Sequence, residues 1–221
     1  MHKMITARQI LDLNIPILGA DFTIDQALSK MNENRVNELP VVDQGVFRGL
    51  VSENQLLDVQ EVQPFIMPIL ANWSIGPEDH FFTMIHKMSE HQSSVAAVLD
   101  KDGQYLGCVT REDLVDAMGE MTSAHSDGGV LLMEMHPRDY TLQQIVRIIE
   151  ENNAKVLALL SYQNERGMME VCIKMDHRDI NPIIRSLERF NYRIRATFQH
   201  QEANIDLMDR YDTLMRFLDE D

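Results

Sequence analysis

Leu39-Pro40-Val41-Val42-Asp43-Gln44-Gly45-Val46-Phe47-Arg48-Gly49-Leu50-Val51-Ser52 reads as a short apolar strand, a turn and a second apolar strand. The pattern returns as Val95-Ala96-Ala97-Val98-Leu99, the turn Asp100-Lys101-Asp102-Gly103, and Tyr105-Leu106-Gly107-Cys108-Val109-Thr110. The flanks repeat as well. Lys30-Met31 matches Lys87-Met88, Glu33 matches Glu90, and Leu56 and Asp58 match Leu114 and Asp116. Internal repetition of this kind decides the architecture. In each copy a helix precedes the strands, marked by Ala27, Leu28 and Met31 and by Met84, Ile85 and Met88 at helical spacing. Thr23 with Gln26 forms a capping-box pattern at the first of these helices. A second helix closes each copy, so each reads as β-α-β-β-α. A copy is about 57 residues long, too short to bury much surface alone, so two must share a core.

This pattern places a first module at 1–60 and a second at 61–120. Residues 121–129, with Thr122, Ser123, Ser126, Asp127, Gly128 and Gly129, have a linker's composition. A different rhythm follows over 130–200. Val130–Met135 reads as a strand, and Thr141 with Gln144 as a capping box opening a helix along Leu142, Ile145, Val146, Ile148 and Ile149. Val156–Leu160 reads as a buried strand, and Asn164-Glu165-Arg166-Gly167 as a hairpin turn. Met169, Val171, Ile173 and Met175 alternate with Met168, Glu170, Cys172 and Lys174 at the period of a half-buried strand. Asn181-Pro182 is expected to cap a helix whose apolar face is Ile183, Ile184, Leu187 and Phe190. A last strand alternates through Tyr192, Ile194, Ala196 and Phe198. The order βαββαβ is the ferredoxin-like arrangement. Residues 201–221 carry an apolar helical stripe through Ile205, Leu207, Met208, Tyr211, Leu214, Met215 and Leu218. The expected fold class is therefore α/β (α+β), with two small sheets flanked by helices and a C-terminal ferredoxin-like domain.

Composition narrows the function. With 35 acidic and 20 basic residues the formal net charge is −15, which argues against a nucleic-acid partner. No run approaches the ~18 apolar residues of a membrane span, and the N-terminus shows no apolar signal region. Cys108 and Cys172 each sit in an apolar stretch and read as buried thiols, which fits a reducing cytoplasm. The eight histidines lack zinc-type spacing with these cysteines, so no metal is expected, and no nucleophile-base constellation or phosphate-cradling glycine loop points to an enzyme.

The duplicated Leu39-Pro40-Val41-Val42-Asp43 … Gly49-Leu50-Val51-Ser52-Glu53-Asn54-Gln55 and Gly107-Cys108-Val109-Thr110-Arg111-Glu112-Asp113 patterns resemble CBS modules, and two in tandem resemble a CBS pair, or Bateman module. The βαββαβ order after them resembles an ACT domain, a layout similar to the acetoin-utilisation accessory protein family. In that family the turn after the first ACT strand usually contains glycine; here it reads His136-Pro137-Arg138-Asp139-Tyr140.

The resemblance implies a regulatory protein that senses an adenosine-type ligand such as AMP, ADP, ATP or S-adenosylmethionine, without a required cofactor. It implies that Thr110 and Asp113 hold phosphate and ribose, that Cys108 lines the base pocket, and that Ile15, Pro16, Val36 and Pro40 complete the wall. Arg111 or Arg35 could add positive charge. Thr110-Arg111-Glu112-Asp113 also spells a capping box, as does Ser52-Glu53-Asn54-Gln55, and capping accounts for both without a ligand. Gln55 lacks the carboxylate that a ribose diol needs, which marks the Ser52 site as degenerate. A homodimer and an unidentified regulated protein partner are implied by both families. A ligand-free docking scaffold and an amino-acid sensor working through the ACT-like domain are the alternatives.

Overall fold

The computed structural model describes residues 5–19, 21–60 and 70–198. The amphipathic stripe expected at 201–221 lies outside them. The chain divides into two compact units, Met1–Met118 and Gly119–Asp221.

The first unit holds both copies. The first runs α1 (Ile24–Asn34), β1 (Glu38–Asp43), β2 (Val46–Ser52) and α2 (Glu53–Gln60). The second runs α3 (Phe81–Glu90), β3 (Val95–Leu99), β4 (Tyr105–Thr110) and α4 (Arg111–Met121). Each pair of strands forms its own antiparallel two-stranded sheet. The expected leading strand is only an isolated parallel bridge in each copy, Leu18 to Val41 and Ile75 to Val98. The duplication extends to irregularities: both sheets slip register late in the first strand, between Val41 and Val42 and between Val98 and Leu99.

Thr23 caps α1 reciprocally with Gln26, as the sequence predicts. On α3, Met84 and Met88 are buried but Ile85 is 39% exposed, so Ile85 lies off the core face. One core cluster gathers Ile15, Leu18, Val36, Leu39, Val51 and Leu56 of the first copy with Val95 and Cys108 of the second. That shared cluster is how two short copies reach a sufficient core.

The second unit is a four-stranded antiparallel sheet, with β5 (Val130–Met135), β6 (Val156–Gln163), β7 (Met169–Met175) and β8 (Arg193–Phe198) in the order β6-β7-β5-β8. Helices α5 (Leu142–Glu151) and α6 (Asn181–Arg189) complete the ferredoxin-like topology. Leu131, Met133, Val171, Ile173 and Met175 pack with Ile145, Ile149, Ile183 and Leu187 in one core.

Several local expectations are corrected. Thr141 makes no side-chain cap to α5: the Gln144 N–H donates to the Thr141 carbonyl at 3.1 Å, and the Gln144 side chain accepts from the Tyr192 hydroxyl at 3.0 Å. Ile180, not Asn181, is the N-cap of α6, and the Asn181 amide is drawn to Asp179 at 2.8 Å. Leu142 and Phe190, at the two ends of the helical faces, are 44% and 48% exposed. β6 is an edge strand that continues to Gln163, and Leu160 is 46% exposed rather than buried. The stretch 121–129, expected as a linker, follows the unit boundary at Met118 and Gly119. Met121 still belongs to α4, and Gly128 and Gly129 press against the end of the sheet. A Cβ on Gly128 would stand 1.8 Å from the Met175 carbonyl oxygen, and the Gly129 N–H donates to the His177 carbonyl at 2.7 Å.

Candidate functional site

At the start of α4 the chain turns from strand to helix at Thr110. The Thr110 N–H and hydroxyl both donate to Asp113 Oδ2 at 2.7 Å, and the Asp113 N–H donates back to Thr110 Oγ1 at 3.1 Å. This reciprocal cap satisfies backbone donors that the helix start would otherwise leave orphaned. It occupies one carboxylate oxygen of Asp113. Among the described residues, the other oxygen, Oδ1, accepts no hydrogen bond.

Around this cap lies a cavity of about 380 Å³, lined on one side by Thr110, Arg111, Asp113 and Asp116 and on the other by Asp12, Asn14, Ile15, Arg35, Val36 and Asn37. Four of the residues singled out from the sequence, Ile15, Val36, Thr110 and Asp113, therefore come together although they are far apart in the chain. Cys108, Pro16 and Pro40 do not line the cavity. Cys108 is fully buried beneath it, where it exchanges backbone hydrogen bonds with Asp12 at 2.8 and 3.1 Å. Its Sγ lies 3.0 Å from the Tyr105 hydroxyl, and burial pushes the thiol up to about 12. Burial likewise raises the Tyr105 hydroxyl far above its ordinary value. Pro40 is held within β1, its carbonyl accepting from Leu18 N at 2.9 Å.

Of the two arginines, Arg35 is exposed at the rim and ends α1 in a left-handed conformation. Arg111 is committed elsewhere: its Nε donates to the Ser93 carbonyl at 3.0 Å and its Nη2 to the Gln92 carbonyl at 2.9 Å.

Ser52 and Gln55 repeat the cap at the start of α2. The Ser52 N–H donates to Gln55 Oε1 at 2.9 Å and the Gln55 N–H to Ser52 Oγ at 3.3 Å. The space beside this second cap is only about 140 Å³ and is lined by Asn37, Glu38, Ser52, Glu53, Asn54, Gln92, Ser94 and Arg111. Glu38 pairs with Ser52 across the first sheet as Val95 pairs with Thr110 across the second. Where the first cleft has a buried valine, the second has a carboxylate. Glu38 Oε2 accepts from the Ser94 N–H at 2.9 Å and from the buried Ser93 hydroxyl. The two clefts meet at Asn37 and Ser94, where the Asn37 N–H donates to Ser94 Oγ at 3.2 Å.

Sequence reading missed Asp12, Asn14, Asn37, Ser94 and Glu38. Asn37 and Ser94 stand at matching places just before β1 and β3, a signal present in the repeat. Asp12, Asn14 and Glu38 carry no local pattern. Among the described residues no cluster of His, Cys, Asp and Glu could hold a metal, and no helix is long and apolar enough to cross a membrane.

Comparison with known proteins matches two segments, residues 7–62 and 67–120, to the CBS domain family. A CBS domain-containing protein of Dictyostelium discoideum is 26% identical over 133 residues, covering 52% of this chain and 91% of its own length. The carnitine transport ATP-binding protein OpuCA of Listeria monocytogenes is 28% identical over 111 residues, 49% of this chain, and the match spans only 28% of that relative. Among solved structures, a CBS domain pair/ACT domain protein from Thermotoga maritima is 25% identical with a TM-score of 0.46, covering 52% of this chain and 96% of its own. A structure of CBSX2 in complex with AMP is 22% identical with a TM-score of 0.44, covering 51% of this chain and 95% of its own. The first half of this chain is a tandem pair of CBS domains.

Proposed function

We propose that the chain is a non-enzymatic regulatory protein whose CBS pair senses an adenosine-type ligand in the cavity beside Thr110. The observation that carries this reading is the convergence of Ile15 and Val36 from one module with Thr110 and Asp113 from the other on a single cavity of about 380 Å³. The apolar pair offers a surface for a base. Asp113 Oδ1 offers an acceptor to ribose hydroxyls, as an ionised carboxylate can. Because the walls come from both modules, a ligand that favours one packing of the pair over another would shift their equilibrium, which is the minimum a sensor requires. AMP, ADP, ATP and S-adenosylmethionine are the candidate ligands. On this reading the protein works in the cytoplasm as a homodimer and acts on a regulated protein partner.

The C-terminal ferredoxin-like unit is ACT-like in the same proposal. A second reading, amino-acid sensing by that unit, is favoured by one feature. A polar cavity of about 460 Å³ opens beside the β5–α5 connection and is lined by Glu134, His136, Arg138, Thr141, Gln144 and Tyr192 among others.

A thermal-shift screen of the purified chain against these adenosine compounds, cyclic di-AMP and the twenty amino acids separates the readings. A ligand at ~100 times its dissociation constant adds roughly 2.7 kcal/mol, which is readily detected. A shift with an adenosine compound supports the cleft, and a shift with an amino acid moves the function to the C-terminal unit. No shift with any compound favours a ligand-free docking scaffold.

A further inference from the structure

The sheet of the second unit buries one face against α5 and α6, where Leu131, Met133, Val171 and Ile173 join the shared core. The residues between them in the strands point to the opposite face. An antiparallel sheet with one solvated face ordinarily alternates apolar inward and polar outward. This sheet departs from that rule. Its register sets Leu160, Cys172, Leu132 and Ala196 in one row straight across the outward face, with no charged residue among them. Leu160 is exposed and the other three are half-buried. Val130 and Phe198, the latter 63% exposed, widen the apolar surface along one side of the row.

The charges beside the row are complementary to themselves. Lys174 and Glu170 flank Cys172 on β7, one on each side of the row. Their hydrogen-bond partners are neutral: Lys174 donates to the Ala124 carbonyl at 3.1 Å, and Glu170 accepts from the Asn164 amide at 2.9 Å and from the Tyr162 hydroxyl. A second copy turned by half a turn about the line of the row lays the row on its own image. It also brings the partner's Lys174 over Glu170, and the reverse. Turning the copy about the strand direction would instead set Glu170 over the partner's Glu134, a like-charge contact that opposes association.

We propose that this outward face is an interface between two copies of the chain, packed sheet on sheet with Cys172 near the two-fold axis. Face-to-face sheets lie about 10 Å apart with their strands within about 30° of each other, which keeps both charge pairs in reach. The contact is isologous and closes at two copies. It rests on the homodimer of the reading above, gives that dimer a surface, and holds whatever the CBS cleft binds.

Sedimentation of the full chain measures the dimer's dissociation constant. Leu132→Asp should weaken the dimer at least about tenfold, because it buries a charge in the apolar row. Glu170→Lys and Lys174→Glu should each weaken it several-fold, and the two together should recover most of the loss, because the exchanged charges meet again across the axis. A misfolded variant could not give that recovery. Cys172 supplies a second readout, since Cys108 is fully buried. A disulfide needs Cα atoms within about 7 Å, closer than packed sheets allow, so a short bis-maleimide is the probe and should join two copies through Cys172. Labelling of Cys172 by a simple maleimide should also slow several-fold as the chain concentration rises. A dimer unchanged by Leu132→Asp, or a charge exchange that recovers nothing, overturns this face and leaves the homodimer standing. Protection of Cys172 that is independent of concentration means cover by the same chain or by another protein, and overturns the second copy as occupant. A monomer at every concentration removes the face and the homodimer together.

Discussion

The two clefts of the CBS pair share one design and differ in what fills it. Both carry a reciprocal cap at the start of a helix, Thr110 with Asp113 and Ser52 with Gln55. Beside the first cap, Ile15, Val36, Val95 and Cys108 share an apolar cluster and leave about 380 Å³ of space. Beside the second, Glu38 stands in the place of Val95, bonds Ser93 and Ser94, and leaves about 140 Å³. The cap is thus common to a cleft with room for a ligand and a cleft filled by the protein's own carboxylate. What separates them is the residue at the foot of the first strand. A motif at a helix start therefore locates a cleft, but the strand beneath it decides whether the cleft is open.

The largest expected effect is on binding. Asp113→Ala removes the carboxylate of the open cleft and should abolish the thermal shift with an adenosine compound, whereas Gln55→Ala should leave it. Equal loss from both substitutions would erase the difference between the clefts.

Next come the glycines that the repeat places in each second strand. Gly49 and Gly107 adopt φ of +141° and +151°, backbone that L side chains rarely take. An added Cβ at Gly49 would meet Leu70 Cβ at 2.5 Å, and one at Gly107 would meet Leu11 Cγ at 2.9 Å and Cδ1 at 3.0 Å. Cγ and Cδ1 can swing aside by side-chain rotation whereas a Cβ moves only with the backbone, so chemical denaturation should show Gly49→Ala costing more than Gly107→Ala, both in the range of about 1–3 kcal/mol. The reverse order would mean that Leu70 yields to an added Cβ more readily than Leu11 does.

Glu38→Val copies the first cleft into the second. It leaves the Ser94 N–H without its acceptor, while the buried Ser93 hydroxyl keeps the Val95 carbonyl at 2.7 Å, and by the cost of an unsatisfied donor it should lower stability by about 1–3 kcal/mol in urea melts. A neutral outcome would mean that water or a repacked side chain replaces the carboxylate.

The smallest effect concerns the thiols. Burial raises Cys108 from 9.0 to about 12, so the folded state keeps its proton while the unfolded chain ionises above about pH 9. Its contribution to stability is thus present below pH 9 and is lost as pH rises toward 12. At pH 8 a thiol reagent should label the half-buried Cys172 well before Cys108. Faster labelling of Cys108 would place it at the open surface of the cavity.

Much of this was legible in the sequence. The repeat showed because turn residues at fixed offsets, Asp43-Gln44-Gly45 and Asp100 to Gly103, punctuate apolar strands with the same Gly-x-x-Ser/Thr sequel. The βαββαβ order of the second unit followed from its alternation and its Asn164–Gly167 turn. Edge position was not legible, because periodicity is blind to which strand lacks a neighbour, so Leu160 read as buried. At the two expected caps other partners took the side chains: the distant Tyr192 holds Gln144, and Asp179, two residues upstream, holds the Asn181 amide. Glu38 was invisible for a simpler reason. One acidic residue before a strand looks like solvated surface until the partner module's Ser93 and Ser94 are brought against it.

The number of adenosine molecules bound per chain, measured by calorimetry on the wild type and on Asp113→Ala, tests the divergence of the clefts most directly. One site per chain, lost in Asp113→Ala, is the predicted result. Two equivalent sites, or a single site that survives loss of the Asp113 carboxylate, would contradict it.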